Sequence, residues 1–243
     1  MQQIEKRLKN MVDQNALRNY HTLVDILKCI AVKAGQSITP SVITTTLNNV
    51  LNSHISHNTV KKYFEAICAD GILGKVERYY IKGTGAKLKN ADHYYIKDME
   101  MFDFLSKSNA IGESLNEKGD EIYKLAFSKT IFYNTLLSLD YDIKGGRVEY
   151  SIRSKKVGSK RVGQNIDFMT VKNNSSMHFV FINKNQREAL IKDTDEAKEF
   201  LRAISSIGDG VQVCVVDVWE SSLEKDIGKI KLIGFETALS LLA

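Results

Sequence analysis

The chain has 243 residues, of which 43% are hydrophobic and 26% are charged, as in ordinary globular proteins. This length suffices for one large domain or two small ones, each with its own core. No apolar run reaches the roughly 18 residues that a membrane-spanning helix needs. The polar first residues do not resemble a secretory signal. We therefore expect a cytoplasmic protein without a membrane partner.

The net charge of +5 is compatible with a nucleic-acid partner but does not require one. The placement of the charge is therefore more informative than its sum. The three cysteines, Cys29, Cys68 and Cys214, are far apart in the sequence, stand among apolar residues and form no C-x-x-C pair. We expect them to be buried free thiols.

The first third of the chain carries three predicted helices. Apolar residues at helical spacing extend over residues 3–34 and stop at Gly35, a residue typical of helix C-termini. Thr39, followed by proline, predicts the start of a second helix that reaches about Leu51. Ser56 is the predicted N-cap of the third helix.

Two alternating, tyrosine-rich runs follow, KVERYYIK and DHYYIKD. The segment GTGAKLKNA between them is a basic, glycine-containing loop. Three helices followed by a two-stranded ribbon are the order of a winged helix-turn-helix. We therefore predict a winged helix over residues 15–98, within an N-terminal domain of residues 1–98.

The second half of the chain predicts an α/β domain with a mixed sheet. Residues 99–118 are polar and are predicted to be a linker, and residues 119–243 form the second domain. An amphipathic helix at 119–139 precedes a turn at YDIKGG and a hairpin of QNIDFMTVK and MHFVFIN. DTDEAKEFLRAISSI predicts a helix, and VQVCVVDVW predicts a central strand that is buried on both faces. KIKLIGFETALSLL predicts an edge strand and a short helix.

Five stretches resemble the C-terminal region of a prokaryotic family of AAA+-type ATPases of unassigned function. They are ISHNTVKKYFEAICADGILGKVERY, KLKNADHYYIKD, FYNTLLSLDYDI, NIDFMTVKNN with HFVFIN, and GKIKLIGFETALSLL. In that family a P-loop ATPase domain precedes a winged helix and a domain similar to the PD-(D/E)XK nucleases. The resemblance implies an α+β fold, with a winged helix-turn-helix followed by a restriction-endonuclease-like α/β domain with a mixed sheet.

The ATPase half of that family has no counterpart in these residues. No G-x-x-x-x-G-K-[ST] motif occurs, and the glycine-containing segment at 83–87 lies between two strands and is followed by Leu88 instead of a hydroxyl residue. We therefore predict no cofactor in this chain. ATP would act only through an upstream ATPase domain.

The resemblance also identifies the positions of a nuclease site, where carboxylates hold a divalent cation and a lysine assists the attacking water. Asp167 falls on the first acidic position of the family pattern. Phe181 and Asn183 occupy the positions of the second acid and the lysine, and Lys129 stands where a helix glutamate is common, eight residues after Glu121. This implies a degenerate, non-catalytic site. Under that interpretation Asp167 is a remnant or a structural acid, for which the family fold offers Lys129 as a partner. The alternative is an aspartate that faces water on an alternating hairpin.

Two other functions remain open at this stage. In the first, the chain is a metal-dependent DNA nuclease with an atypical site, in which Asp167, Glu121 and Asp142 bind Mg²⁺ or Mn²⁺. In the second, it is a protein-interaction or oligomerisation module that works through the winged helix. The pair His54 and His57 has zinc-like spacing but lies at a turn-to-helix junction without a third ligand nearby in sequence, which disfavours a zinc site.

Basic and hydrogen-bonding residues favour DNA as the partner. The third helix of a winged helix enters the major groove, and the wing contacts the DNA backbone. A second basic stretch at 144–161 contains the predicted loop SKKVGSKR. The predicted nucleic-acid-binding residues are His57, Asn58, Thr59, Lys61 and Lys62 in the third helix, Lys82, Lys87 and Lys89 in the wing, and Lys155, Lys156, Lys160 and Arg161 in the second stretch.

Overall fold

The computed structural model describes residues 2–81, 85–89, 92–107, 119–154, 158–172, 175–207 and 210–242. The helices in these ranges are α1 (Gln2–Gln14), α2 (Tyr20–Val32), α3 (Pro40–Leu51), α4 (His57–Ala69), α5 (Met99–Lys107), α6 (Gly119–Ser138), α7 (Lys184–Ile191), α8 (Asp195–Ser205) and α9 (Phe235–Ser240). The strands are β1 (Leu73–Val76), β2 (Arg78–Tyr80), β3 (His93–Ile96), β4 (Asp142–Ser154), β5 (Gly158–Lys172), β6 (Ser175–Ile182), β7 (Val211–Asp217), β8 (Glu224–Ile227) and β9 (Ile230–Gly234). No helix in these ranges has the length and apolarity needed to cross a membrane.

The chain divides into two compact units. The first contains Met1–Lys75 and Asn90–Ile131, and the second contains Val76–Lys89 and Phe132–Ala243. Together they form a mixed α+β fold, which confirms the predicted fold class at that level. The winged-helix and restriction-endonuclease-like assignments within it stay predictions.

The N-caps predicted for α3 and α4 are confirmed. The Thr39 side chain accepts a hydrogen bond from the amide of Val42, and the Ser56 side chain accepts one from the amide of Thr59. These caps satisfy amide groups that have no partner inside the helix. They fix where α4 begins.

The helical stretch predicted at 3–34 consists of two helices. Asn15 ends α1, where its side chain donates to the carbonyl of Met11 at 3.0 Å, and Asn19 caps α2 by accepting from the amide of His21. Ala16, between the helices, has a left-handed backbone with φ of 47°. The apolar pattern continues across the break because Leu17 is also buried, which hid the break from a periodicity argument.

The predicted two-stranded ribbon is divided between the two units. β1 pairs with β3, whereas β2 runs parallel to β4 in a seven-stranded sheet, with Arg78 opposite Gly145. Arg78 is buried, and its guanidinium donates to the Gly146 carbonyl at 3.0 Å and to the side chain of Asn165. The strand predicted as one run therefore changes sheet at Glu77.

The first half of the predicted linker is a buried helix. Met101, Phe102 and Leu105 of α5 are fully buried, and the Phe102 ring lies 5.9 Å from that of Phe127. A polar average composition concealed these three residues, which repeat at helical spacing. Residues 108–118 lie outside the described part of the chain.

The seven-stranded sheet has the order β2-β4-β5-β6-β7-β9-β8. β6, β7 and β9 are parallel, and β5 is antiparallel to both of its neighbours, so the predicted mixed sheet is confirmed. One face packs against α8 through Phe200 and Ile204. On the other face the Phe132 ring of α6 lies 4.7 Å from that of Phe179.

Three details of the sheet differ from the sequence prediction. β9 was expected at the edge but is internal, because the charged strand β8 forms a hairpin with it and takes the edge position. Helix α7 was not predicted. Gly145 and Gly146, interpreted as a turn, lie within β4, where the absence of Cβ atoms leaves room for Arg78 and Ile81 of the β2 segment.

Candidate nucleic-acid interface

The turn between α3 and α4 is held by one side chain. Asn48 accepts hydrogen bonds from the amide of Ile55 at 2.8 Å and from the hydroxyl of Ser53 at 3.0 Å, and it donates to the carbonyl of Ile55 at 3.1 Å. Asn52 and His54 have left-handed backbones, with φ of 49° and 48°. These bonds stabilise a strained turn and fix the start of α4.

The first turn of α4 presents polar groups outward. His57 and Asn58 are exposed, and the Ser56 hydroxyl lies 2.8 Å from that of Thr59, which is half-buried. Thr59 therefore helps to form the cap, which leaves its hydroxyl less available to a ligand than the predicted role assumed. The helix N-terminus also carries partial positive charge, which favours anions such as phosphate.

The two predicted lysines of α4 have different surroundings. Lys61 is exposed, and its ammonium lies 3.9 Å from Glu65, an ion pair that water screens strongly. The ammonium of Lys62 instead donates to the carbonyl of Ala16 at 2.9 Å. Lys61 is thus the more accessible cation, and a phosphate would have to compete with Ala16 for Lys62.

The predicted wing lysines lie on the segment that belongs to the second unit. Lys87 is exposed and forms an ion pair with Glu77, whose other oxygen accepts from the Tyr79 hydroxyl at 2.9 Å. This hydrogen bond is the largest cause of the raised pKa of Tyr79. Lys89 is exposed, and Lys82 lies outside the described residues.

Arg18 is a candidate residue that the sequence argument missed. It is exposed directly before the α2 cap and lines a cavity of about 220 Å³ together with Asp25, Leu47 and Thr59. The Tyr63 hydroxyl of α4 donates to the carbonyl of Asn19 at 3.1 Å and so joins α4 to the start of α2. The sequence signal for Arg18 was a basic residue next to a helix N-cap. Burial raises the pKa of Asp25 within this cavity.

The described residues of the second basic stretch, 144–154 and 158–161, belong to two paired strands, whereas a loop was predicted for SKKVGSKR. Lys160 and Arg161 lie within β5, opposite Ile152 and Ser151 of β4. Lys155 and Lys156 fall outside the described residues. Apolar residues alternate with polar ones only on the β4 side, at positions 148, 150 and 152, which was the signal for a strand there.

Asp167 is buried and has a defined partner. It is 3% exposed, and its Oδ2 accepts a hydrogen bond from the amide of Phe181 at 2.8 Å. The register between β4 and β5 shifts between Lys144 and Gly146, and the pairing of β5 with β6 begins only at Phe168. Asp167 therefore lies at a bulge where β5 diverges from its neighbours. The alternative that this carboxylate faces water is wrong.

The structure gives the other two carboxylates proposed as metal ligands surroundings of their own. Exposed Asp142 pairs with Lys144 at 2.8 Å, and Glu121 belongs to the first unit, whereas Asp167 belongs to the second. No group of three or more His, Cys, Asp or Glu side chains in the described ranges is arranged to hold a metal ion. The nuclease alternative, which needs Glu121 and Asp167 from different units, stays a prediction.

Two further positions of the family pattern, 183 and 129, have contacts within the fold. Asn183, at the lysine position, caps α7 and forms a capping box with Gln186. Lys129 is buried in the first unit, where a Cβ atom on Gly35 would lie 2.5 Å from its Cδ atom. Since Lys129 and Asp167 fall in different units, their pairing stays a prediction.

The sequence analysis did not predict an ion pair in the second unit between buried Asp217 and half-buried Arg187. Asp217, at the end of β7, accepts from the Arg187 Nε atom at 2.8 Å and from the amide of Trp219 at 2.9 Å, and Arg187 also contacts Glu220. An acid that ends a buried strand was the only available signal. These bonds fasten α7 to the carboxyl end of β7.

The remaining titratable candidates are one histidine and three cysteines, of which all but Cys68 are buried. His178 is buried on β6, and burial lowers its pKa to about 4, so it is neutral at pH 7. Burial raises the pKa of both Cys29 and Cys214 to about 11, which keeps them as thiols. Cys68 was expected to be buried but is exposed, because it lies on the outer face of α4.

Comparison with known proteins adds little to this geometry. No protein-family model and no curated protein matches the chain. Among solved structures it is similar to protein VC1899 from Vibrio cholerae, with 12% sequence identity and a TM-score of 0.29. The similarity covers 96% of this chain and 54% of that protein, so the chain spans about half of its length.

Proposed function

We propose that the chain binds double-stranded DNA through the first turn of α4 and does not cleave it. In this proposal it is a winged helix followed by a restriction-endonuclease-like domain, from the C-terminal region of an AAA+-type ATPase relative. The observation that carries the proposal is the exposed, capped start of α4, where His57, Asn58 and Lys61 are all exposed.

The positions of these side chains suit a recognition helix. Residues 57, 58 and 61 share one side of α4, whereas Tyr63 and Ile67 are buried. In a helix-turn-helix, residues at the N-terminus of the recognition helix contact base edges. Asparagine can pair with adenine through two hydrogen bonds, and lysine contacts guanine or phosphate.

The non-catalytic part of the proposal rests on Asp167. Its carboxylate is buried and accepts a hydrogen bond from a main-chain amide, so Oδ2 already has a structural role as an acceptor. A metal ligand of a nuclease must instead direct its oxygens toward a cation that the DNA can reach. Manganese-dependent nicking that is lost in Asp167→Asn would favour the nuclease alternative.

Acidic residues on α4 favour a second candidate, a protein-interaction module. Glu65 and Asp70 are exposed on this helix, and Asp70 pairs with Arg7 at 3.1 Å. Both acids reduce the positive potential that DNA would meet. This candidate predicts stable self-association or a protein partner, together with no salt-dependent affinity for DNA.

The test compares two double variants by fluorescence anisotropy of a labelled DNA duplex. Asn58→Ala with Lys61→Ala should weaken binding by about tenfold or more, because each lost contact is worth about 1–3 kcal/mol. The matched control is Lys6→Ala with Asn10→Ala, which removes the same residue types from exposed positions of α1. The α4 assignment is rejected if both variants bind as tightly as the unmodified chain.

A further inference from the structure

Most of the net positive charge of the chain comes from one segment. Residues 148–164 contain five cationic side chains and one acid, a net charge of +4, whereas the whole chain has +5. All remaining residues together therefore contribute only +1. Such a concentrated charge produces a local field that a near-neutral surface does not. The six charged residues are Arg153, Lys155, Lys156, Lys160, Arg161 and Glu149.

The described residues of this segment, 148–154 and 158–164, form the outer part of the β4–β5 hairpin. β2 pairs with β4 only as far as Arg147, and β6 pairs with β5 only from Phe168 onward. Beyond these points the described strands pair only with each other. We call residues 148–154 with 158–164 the ribbon arm. At about 3.4 Å per residue, each strand of the arm is roughly 20 Å long.

The register places three arginines on one face of this hairpin. Arg147 lies opposite Asn165, Arg153 opposite Ser159, and Arg161 opposite Ser151. Since alternate residues of a strand share a face, positions 147, 153 and 161 lie on the same side, together with the acid at position 149. Position 160 is on the other side, opposite residue 152.

Small or neutral residues occupy the cross-strand positions opposite these arginines. The Arg147 guanidinium lies across Gly163, where a Cβ atom would overlap it, and its Nε atom is 3.6 Å from Glu149. No acid is directly opposite Arg147, Arg153 or Arg161 in the described register. The acid on this side of the hairpin in the described register is Glu149, which lies opposite Gly163.

We propose that the ribbon arm lies in the major groove of B-form DNA, with its arginine face toward the nucleic acid. The B-form major groove is about 12 Å wide and admits a two-stranded β-ribbon. The major groove of an A-form RNA helix is deep and too narrow for side chains to read. Arginine forms bidentate hydrogen bonds with phosphate and with guanine. This inference rests on the DNA-binding function proposed above and adds a second contact surface to it.

The test removes two charges from the arginine face. In Arg153→Gln with Arg161→Gln, the slope of log Kobs against log salt for a DNA duplex should decrease in magnitude by about 2, since each phosphate contact contributes about 0.9. The matched control is Lys124→Gln with Lys225→Gln, two exposed lysines outside the hairpin. The control should keep the slope of the unmodified chain. An RNA duplex of the same sequence should not distinguish the two variants.

The possible results distinguish failure of the ribbon inference alone from failure of DNA binding as a whole. If the arginine variant matches the control on DNA while the Asn58 and Lys61 variant loses affinity, the ribbon inference is overturned and the α4 assignment stands. An equal loss on DNA and RNA duplexes would contradict the groove assignment. If the unmodified chain does not bind DNA even at low salt, both proposals fail. Circular dichroism of each variant checks that it remains folded, so that a change of slope reports lost contacts and not unfolding.

Discussion

At the scale of single residues, Asp167 shows how a position that suggests catalysis can be structural. Its neighbours Ile166 and Phe168 are fully buried, so an acid here needs a hydrogen-bond donor within the fold. The amide of Phe181 supplies this donor because β5 and β6 are no longer paired at that level. The carboxylate thus substitutes for a missing main-chain acceptor.

This role predicts a difference between two substitutions of Asp167. Asp167→Ala removes the acceptor for the Phe181 amide and should lower the free energy of unfolding by about 1–3 kcal/mol. Asp167→Asn keeps an oxygen at the same place and should cost distinctly less. Urea denaturation of both variants measures the difference. Equal losses of stability would show that the hydrogen bond from Phe181 is not what Asp167 provides.

At the scale of elements, the strand change at Glu77 depends on two adjacent glycines. A Cβ atom on Gly146 would lie 2.6 Å from Ile81 Cδ1 and 2.8 Å from Met169 Sδ. Gly146 therefore allows the β2 segment to pack on β4. The amide of Ile81 donates to the carbonyl of Arg147 at 3.1 Å directly after this strand.

The close approach predicts that Gly146→Ala loosens β2. Overpacking of this kind costs about 1–3 kcal/mol, and hydrogen exchange at the Ile81 amide should become faster. Adding Ile81→Ala should restore part of the lost stability, because it removes the atoms that the new methyl group meets. If the double variant is less stable by the full sum of both single losses, the proposed contact is wrong.

Elements with strong local signals could be predicted from the sequence, whereas those set by tertiary pairing could not. Thr39 and Ser56 fixed the starts of α3 and α4, and the apolar run of β7 indicated a central strand. Helix α7 was missed because it has no buried residue and so no apolar periodicity. The division of KVERYYIK was missed because alternation does not reveal which sheet a strand joins.

The candidate site could be predicted only in part, for similar reasons. Exposed His57, Asn58 and Lys61 agree with the residue types expected at the start of a recognition helix. The Lys62 ammonium donates a hydrogen bond to the carbonyl of Ala16, which has a left-handed backbone and lies 46 positions earlier in the sequence. No local pattern indicates this contact. Arg18 was missed because only the folded turn brings it to the same cavity as Thr59.

At the scale of the whole molecule, two surfaces are proposed to contact DNA. The start of α4 belongs to the first unit, and the ribbon arm belongs to the second. The first offers hydrogen-bonding side chains and the exposed Lys61, and the second belongs to the segment 148–164, which has a net charge of +4 in a chain of +5. We therefore expect the ribbon arm to supply most of the salt-dependent affinity and α4 to supply base contacts.

The central claim is that this chain binds duplex DNA without cleaving it. The most direct measurement is fluorescence anisotropy of a labelled random duplex, titrated with the chain at about 50 and 200 mM salt in the presence of EDTA. We predict saturable binding whose affinity falls by about a hundredfold or more between the two salt concentrations, as expected for several phosphate contacts. Absence of binding at the lower salt concentration would contradict the account.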